Sequence, residues 1–239
     1  MFGFKKELEE NYEYVVAKEK PFSYTTECIQ KVIANMEMTN VDQKNKIIQF
    51  TSSLSGEGKT TIISNIAYLM SRKNKKVIVV DLDLRKPKMQ RVFDVPNRHG
   101  LTDYLKGNIT QDEMIRHSLS HGVDYILTGE QTNAIINVLE SQKLKDLIST
   151  LRLAYDYILI DSPPVIAVSD PLYISRLVDG ILFCVADKRA SKPLVKEAVQ
   201  TVQRANSNIL GMLMTRSIVM EKGYRYRYEY VYNYGKIST

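Results

Sequence analysis

The segment Phe50–Ala67 constrains the fold more than any other part of the sequence. It reads FTSSLSGEGKTTIISNIA, in which an apolar run passes through a loop of small residues into a helix-like sequence. Gly56 and Gly58 allow the backbone to turn its N–H groups inward around an anion, and a helix N-terminus adds favourable partial charge. This order predicts a buried strand, a phosphate-binding loop and a helix, which together form one unit of an α/β sheet.

Two side chains at the end of this loop have the chemistry of nucleotide binding. Lys59 is long enough to reach the β- and γ-phosphates of ATP, and the Thr60 hydroxyl can be a ligand of Mg²⁺. The strict pattern has glycine six residues before the lysine, where this chain has Ser53, so an ordinary strand-to-helix turn is the alternative. We predict an ATP and Mg²⁺ site whose nucleotide-binding residues are Ser55, Gly56, Glu57, Gly58, Lys59, Thr60 and Thr61.

The composition suits a single α/β domain, with or without a tail. The chain has 239 residues, 44% of them apolar, and a formal net charge of +6 that is spread along its length. No stretch approaches the roughly 18–20 consecutive apolar residues of a membrane-spanning helix, and the start lacks the apolar centre of a signal peptide. The two cysteines, Cys28 and Cys184, lack metal-ligand spacing. We therefore expect a reduced, cytoplasmic protein.

From Lys46 onwards, short aliphatic runs alternate with longer amphipathic ones. Aliphatic runs such as VIVV and YILI are typical of a parallel sheet covered on both faces, so the pattern predicts a doubly wound, mostly parallel α/β fold. The predicted strands are 47–51, 77–81, 124–127, 157–161, 180–185 and 209–214. The predicted helices are 24–38, 60–72, 135–154, 169–177 and 192–205. We expect an N-terminal helical segment over 1–45, a core over 46–217 and a flexible tail over 218–239.

Two of the predicted strands end in aspartate. Asp81 and Asp83 follow VIVV, and Asp161 follows YILI. In a parallel sheet both strand ends emerge beside the phosphate loop, so the carboxylates converge on the metal and the γ-phosphate. Asp161 is the predicted Mg²⁺ ligand beside Thr60, helped by Asp83, and Asp81 is the predicted base for the attacking hydroxyl. The predicted catalytic set is Lys59, Asp81, Asp83 and Arg85, with a structural ion pair as the alternative for Arg85.

A run of alternating tyrosines lies near the end of the sequence. Six of the 15 tyrosines fall between 224 and 234, at every second residue. An aromatic-faced strand and a segment of phosphate acceptors explain this spacing about equally well. An arm that stacks on nucleic acid explains it less well, and we expect no nucleic-acid partner. The acceptor hypothesis assigns Tyr224, Tyr226, Tyr228, Tyr230, Tyr232 and Tyr234.

Together these motifs resemble those of the bacterial tyrosine kinases of the P-loop type, which control capsule and exopolysaccharide synthesis. The resemblance begins at about residue 21 and rests on SSLSGEGKTT, VIVVDLDLRKP, GLTDYLKG, YDYILIDSPP, SDP, DGILFCV and the tyrosines. More specifically, the chain resembles the cytoplasmic kinase subunits of Gram-positive bacteria, whose membrane activator is a separate polypeptide. The resemblance implies that residues 52–60, 77–83 and 158–161 are the Walker A, A′ and B elements, and that the tyrosines are autophosphorylated between neighbouring subunits.

The resemblance also implies partners. These are a membrane activator of the polysaccharide co-polymerase type that recruits the kinase to the inner face of the cell membrane, a cognate tyrosine phosphatase, protein substrates and further copies of the chain. In the family, a Glu-x-x-Arg-x-x-Arg pattern in the N-terminal helix builds a ring of subunits. The matching positions here are Glu27, Gln30 and Ile33, so a ring through that helix is in doubt unless contacts such as Lys31 replace the arginines.

Two alternatives come from other functional classes. A partition or division-site ATPase of the same superfamily usually has a second lysine where this chain has Leu54, and it has no use for the tyrosine run. A nucleotide-regulated adaptor of a membrane polysaccharide complex would use the tail tyrosines for binding and would tolerate loss of the carboxylates. Detection of phosphotyrosine separates the kinase hypothesis from both.

Overall fold

A single sheet organises the chain in the computed structural model, which describes residues 15–40, 42, 44–205 and 208–216. Its strands are β1 (Ile47–Ser52), β2 (Val77–Asp81), β3 (Arg116–Ser118), β4 (Val123–Ile126), β5 (Tyr157–Asp161), β6 (Gly180–Ala186) and β7 (Ile209–Thr215). In these residues the strand order is β3-β4-β2-β5-β1-β6-β7. Only the pair β3–β4 is antiparallel among the described strands. The predicted doubly wound, mostly parallel α/β fold is confirmed.

Helices connect the strands on both faces of the sheet. They are α1 (Val16–Glu19), α2 (Tyr24–Thr39), α3 (Lys59–Arg72), α4 (Met89–Val92), α5 (Leu101–Lys106), α6 (Gln111–Met114), α7 (Ile135–Glu140), α8 (Gln142–Ala154), α9 (Asp170–Ile174) and α10 (Lys192–Arg204). The prediction of one helix over 135–154 is wrong, because Ser141 has an extended backbone and separates α7 from α8. Its hydroxyl accepts the Leu144 N–H at 3.2 Å and so caps the second helix.

The period-two alternation of the central strands explains the two-sided core. In β2, Val77 and Val79 pack on one face of the sheet, while Ile78 and Val80 pack on the other. The same division separates Leu159 from its neighbours in β5. A parallel strand covered by helices on both faces needs apolar side chains in both directions, which is why VIVV and YILI lack polar positions.

The N-terminal helices pack against α3, the helix that follows the phosphate loop. The Ala17 N–H donates to Asn65 Oδ1 at 2.8 Å, and Ile29 and Ile33 belong to the same core cluster as the apolar face of α3. Ile33 is 0% exposed, so position 33 faces the core and not a neighbouring subunit. None of the helices described here is long and apolar enough to span a membrane. The proposed tail, residues 218–239, lies outside the described residues.

Candidate active site

The loop between β1 and α3 has the backbone of a phosphate-binding loop. Gly56 and Gly58 have φ angles of 79° and 86°, in the left-handed region that strains residues with a Cβ. A Cβ at Gly58 would also lie 3.4 Å from the Thr215 side chain at the end of β7. Glycine at these two positions is therefore a requirement of the loop conformation.

Lys59 is held beneath this loop. Its side chain starts at the first residue of α3, and its Nζ donates to Ser52 Oγ at 2.9 Å. The Ser52 hydroxyl in turn donates to the Leu54 carbonyl at 2.8 Å. Lys59 is only 7% exposed, so a positive charge is positioned inside the loop before any anion arrives.

A buried carboxylate fixes the loop to the sheet. Glu57 is 0% exposed, and its Oε2 accepts the Leu54 N–H at 2.7 Å while Oε1 accepts the Ala186 N–H at 3.2 Å. The Glu57 carbonyl accepts the Thr215 hydroxyl at 2.8 Å. The sequence suggests that Glu57 contacts nucleotide, but in the structure its carboxylate is occupied by backbone N–H groups and positions the loop.

Glu57→Gln is expected to weaken nucleotide binding about tenfold and to lower the melting temperature by roughly 3–6 °C. The amide keeps one acceptor oxygen and turns an NH₂ group towards the other buried N–H, which leaves that donor unsatisfied. ADP titration and thermal unfolding measure the two effects. Glu140→Gln is the matched control, because Glu140 is exposed. Wild-type values for both properties in Glu57→Gln would contradict the positioning role.

Asp81 and Asp161 are brought together by the register of the sheet. They are paired residues at the ends of the neighbouring parallel strands β2 and β5. Asp161 Oδ2 accepts the Thr60 hydroxyl at 2.7 Å, which joins the acidic strand to the phosphate loop. Asp161 Oδ1 is buried, and among the described residues it has no hydrogen-bond partner. Burial raises the Asp161 pKa to about 6, against the opposing effects of Lys59 and of the Thr60 hydrogen bond.

Asp81 is enclosed by the turn that follows it. It is 0% exposed, its Oδ1 accepts the Asp83 N–H at 3.0 Å, and its Oδ2 accepts the backbone N–H groups of Lys88 and Met89 at 3.3 and 3.2 Å. Burial and the neighbouring charge of Asp161 raise the Asp81 pKa well above its usual value. Asp83 is only partly buried and lies at the more open side of the turn.

Arg85 pairs with a residue that lies outside the predicted catalytic set. Its guanidinium makes a two-pronged pair with Asp170, with Nε–Oδ2 at 2.8 Å and Nη2–Oδ1 at 3.0 Å. Asp170 is 0% exposed and begins α9, whereas the Arg85 side chain is 44% exposed. The geometry favours the structural ion pair over the catalytic assignment, because Nε and Nη2 both donate to one buried carboxylate.

A pocket of about 260 Å³ opens above the phosphate loop. It is lined by Gly56, Gly58, Lys59, Thr60, Thr61, Lys88, Arg91 and Arg216. The first five belong to the predicted nucleotide site. The last three were missed because a basic residue in a turn, a single-turn helix or the end of a strand has no distinctive sequence pattern. No cluster of three or more His, Cys, Asp or Glu side chains suited to a metal occurs in the part of the chain that the structure describes. The arrangement fits Mg²⁺, which takes one or two carboxylates together with phosphate oxygens and water.

Comparison with protein families identifies the core. The model described as "AAA domain" matches residues 45–210, more than two thirds of the chain. The chain belongs to the AAA domain family. Its curated relatives include the tyrosine-protein kinase YwqD of Bacillus subtilis, 29% identical over 200 residues, which cover 84% of each chain. The putative tyrosine-protein kinase CapB of Staphylococcus aureus is 26% identical over 91% of this chain and 93% of its own.

Other relatives are much longer than this chain. The match to a putative tyrosine-protein kinase of the cps region in Klebsiella pneumoniae is 28% identical and covers 84% of this chain but 28% of the relative. Among solved structures, the chimerical protein CapA2B2 superposes with a TM-score of 0.82 at 26% identity, over 86% of this chain and 91% of that one. The resemblance to bacterial tyrosine kinases is confirmed.

The division-site protein MinD of Pyrococcus horikoshii, in complex with Mg-ADP, shares the fold at a TM-score of 0.61 and 23% identity, over 74% of this chain and 72% of that one. At that level of identity the likeness concerns the fold alone.

Proposed function

We propose that this chain is an ATP-dependent protein tyrosine kinase that serves capsular or exopolysaccharide synthesis. The observation that carries the proposal is the Thr60–Asp161 hydrogen bond beside the buried Lys59. It joins the phosphate loop to an acidic strand end, as metal-assisted phosphoryl transfer requires. The relatives named tyrosine-protein kinase suggest the class of acceptor.

The nucleotide would occupy the pocket above the phosphate loop. Lys59 would neutralise charge on the β- and γ-phosphates, and the loop from Ser55 to Thr61 would offer its backbone N–H groups. Thr60, Asp161 and Asp83 would hold Mg²⁺, which when bound supplies positive charge to the phosphates. The buried Asp161 Oδ1, which has no partner among the described residues, supports this assignment.

The transfer itself forms one bond and breaks one bond. The phenol oxygen of a tyrosine attacks the γ-phosphorus, the bond from that phosphorus to the β–γ bridging oxygen breaks, and ADP leaves with that oxygen. Asp81 would take the phenol proton, and its pKa, raised by burial and by the charge of Asp161, supports this role because it makes the carboxylate a stronger base than an ordinary aspartate. Arg85 would act only indirectly, because its pair with Asp170 holds the turn after β2 to the start of α9.

The acceptors and partners extend the proposal beyond the core. Tyr224, Tyr226, Tyr228, Tyr230, Tyr232 and Tyr234 would be the autophosphorylation sites, and they lie outside the described residues. We also propose that the protein is cytoplasmic, associates with copies of itself and is recruited to the membrane by an activator. A phosphatase would remove the phosphate from its tyrosines. Because Ile33 is buried, self-association would use surfaces other than the helix position that the family pattern gives to arginine.

Lys59→Met is expected to abolish transfer of phosphate to tyrosine. The charge that neutralises the β- and γ-phosphates is lost, so ATP binds without a productive geometry. Intact-mass analysis with peptide mapping, after incubation with Mg-ATP and the cytoplasmic segments of candidate activators, should find phosphate on the terminal tyrosines of wild type only.

The matched control is Lys75→Met, since Lys75 is exposed, and it should be phosphorylated as wild type is. Thermal unfolding checks that Lys59→Met is folded. ATP hydrolysis by wild type without any phosphotyrosine, under every pairing, would favour the partition-type ATPase or the adaptor instead.

A further inference from the structure

The pocket above the phosphate loop is basic. Lys88 and Arg91 line it from the turn and helix after β2, Arg216 lines it from the end of β7, and none of the residues that line the pocket is acidic. With Lys59 on the loop side, four positively charged side chains surround a volume of about 260 Å³. This charge exceeds what one phosphate group needs and suits the polyphosphate of a nucleoside triphosphate.

The backbone around Lys88 is fixed. The Lys88 and Met89 N–H groups both donate to Asp81 Oδ2, which ties the start of α4 to the end of β2. Met89 and Val92 are buried and anchor the single turn of α4 in the core. Lys88 directly precedes Met89, and Arg91 directly precedes Val92. The two basic residues are therefore also three positions apart and share a different face of the turn, which borders the pocket.

Hydrogen bonds and strand pairing place Lys88 on the side of the pocket where the acidic strand ends lie. Its N–H donates to Asp81 Oδ2, and Asp81 is paired with Asp161 at the ends of β2 and β5. Asp161 in turn accepts the hydroxyl of Thr60, which lines the pocket. Lys59 and Lys88 therefore line the same pocket from different elements, Lys59 from α3 and Lys88 from the turn before α4.

We propose that Lys88 is a second phosphate-binding lysine, which contacts the γ-phosphate of ATP from the side opposite Lys59, with Arg91 contributing charge beside it. The proposal rests on the proposed kinase function and deepens it. The γ-phosphate is the group that is transferred, so it must lie beside the proposed base Asp81, to which the Lys88 N–H also donates. A cation fixed there also stabilises the charge on the transferred phosphoryl group during the reaction.

The test compares nucleotides that differ only in the γ-phosphate. Lys88→Met should weaken binding of the β,γ-imido analogue of ATP about tenfold and change ADP binding less than about twofold. It should lower kcat about 10- to 100-fold, and Lys88→Arg should recover most of that loss. Lys86→Met is the matched control, since Lys86 is exposed two residues away and does not line the pocket.

The possible outcomes are distinct. If Lys88→Met weakened the binding of ADP and of the ATP analogue equally, the γ-phosphate assignment would be overturned. Lys88 would then only attract nucleotides through its positive charge. Unchanged binding and kcat would overturn the proposal altogether. The side chain makes none of the contacts to Asp81, which come from the backbone, so Lys88→Met should fold, and an unchanged melting temperature verifies this. The binding comparison needs no acceptor, so it stands even if wild type forms no phosphotyrosine and the kinase proposal fails.

Discussion

Asp161→Asn is expected to abolish phosphotransfer and at the same time to raise the melting temperature of the nucleotide-free protein by about 5 °C. The catalytic loss follows from removing the proposed metal-binding carboxylate. The gain in stability follows because Asp161 is buried, ionised at neutral pH and only partly compensated by Thr60 and Lys59. A neutral amide of the same shape removes the cost of burying that charge.

The pH dependence gives the effect a definite sign. The folded-state pKa of Asp161 is raised to about 6, above its value in an unfolded chain. The contribution of this group to stability is therefore full when the carboxyl is protonated, and it is lost as the pH rises through about 6. The stabilising effect of Asp161→Asn should be small below about pH 4, grow between about pH 4 and 6, and be largest at pH 7.5.

Thermal unfolding of wild type and Asp161→Asn, with and without Mg-ADP, measures the effect on stability, and intact-mass analysis after incubation with Mg-ATP measures phosphotransfer. Asp112→Asn serves as the control, because Asp112 is exposed and its replacement should change neither property. Mg-ADP should stabilise wild type much more than the variant. A variant that melts below wild type at pH 7.5 would show that the ionised carboxylate stabilises the empty site, contrary to this expectation.

Asp81→Asn is expected to lower kcat by about 10²–10⁴-fold, the range for removing a general base. Asparagine retains the shape and one acceptor for the backbone N–H groups of the turn. Asp81→Ala is a poorer test, because it would leave three N–H groups without their carboxylate. Single-turnover phosphorylation at saturating Mg-ATP measures the chemical step, and ADP titration reports whether the pocket is preserved.

Asp83→Asn is the companion variant, and it should lose less activity in the chemical step while weakening the response to Mg²⁺. The reverse pattern, with Asp83→Asn nearly inactive and Asp81→Asn retaining a tenth of wild-type kcat, would transfer the role of base to Asp83. The more exposed position of Asp83 makes that outcome a real competitor.

The parts of the fold that the sequence predicts are those in which burial dictates residue type. The strand 77–81 was predicted with its observed bounds, because a strand covered on both faces must be aliphatic throughout and its aspartate marks the end. The predicted helix over 135–154 failed at Ser141, where one hydrogen bond to Leu144 decides between a continuous helix and two. β3 was missed because its three residues, Arg116–Ser118, have no apolar alternation.

The candidate site likewise has a part that the sequence predicts and a part that it does not. Adjacency in the chain joins Lys59 to Thr60, and the ends of neighbouring parallel strands bring Asp81 and Asp161 to them. The Arg85–Asp170 pair joins residues 85 apart in sequence, so local pattern has no access to it. Lys88 and Arg91 gain meaning only from a turn that faces the phosphate loop across a pocket.

The end of β7 ties the phosphate loop to the segment that carries the tyrosines. The Thr215 hydroxyl donates to the Glu57 carbonyl, and Arg216, at φ 56°, lines the pocket. Tyr224 follows eight residues later, a contour of at most about 28 Å. Chain length alone therefore keeps Tyr224 within this distance of a residue that lines the pocket of its own subunit. The competition between this tethered tyrosine and the tyrosines of other subunits depends on the length of the tether and on the protein concentration.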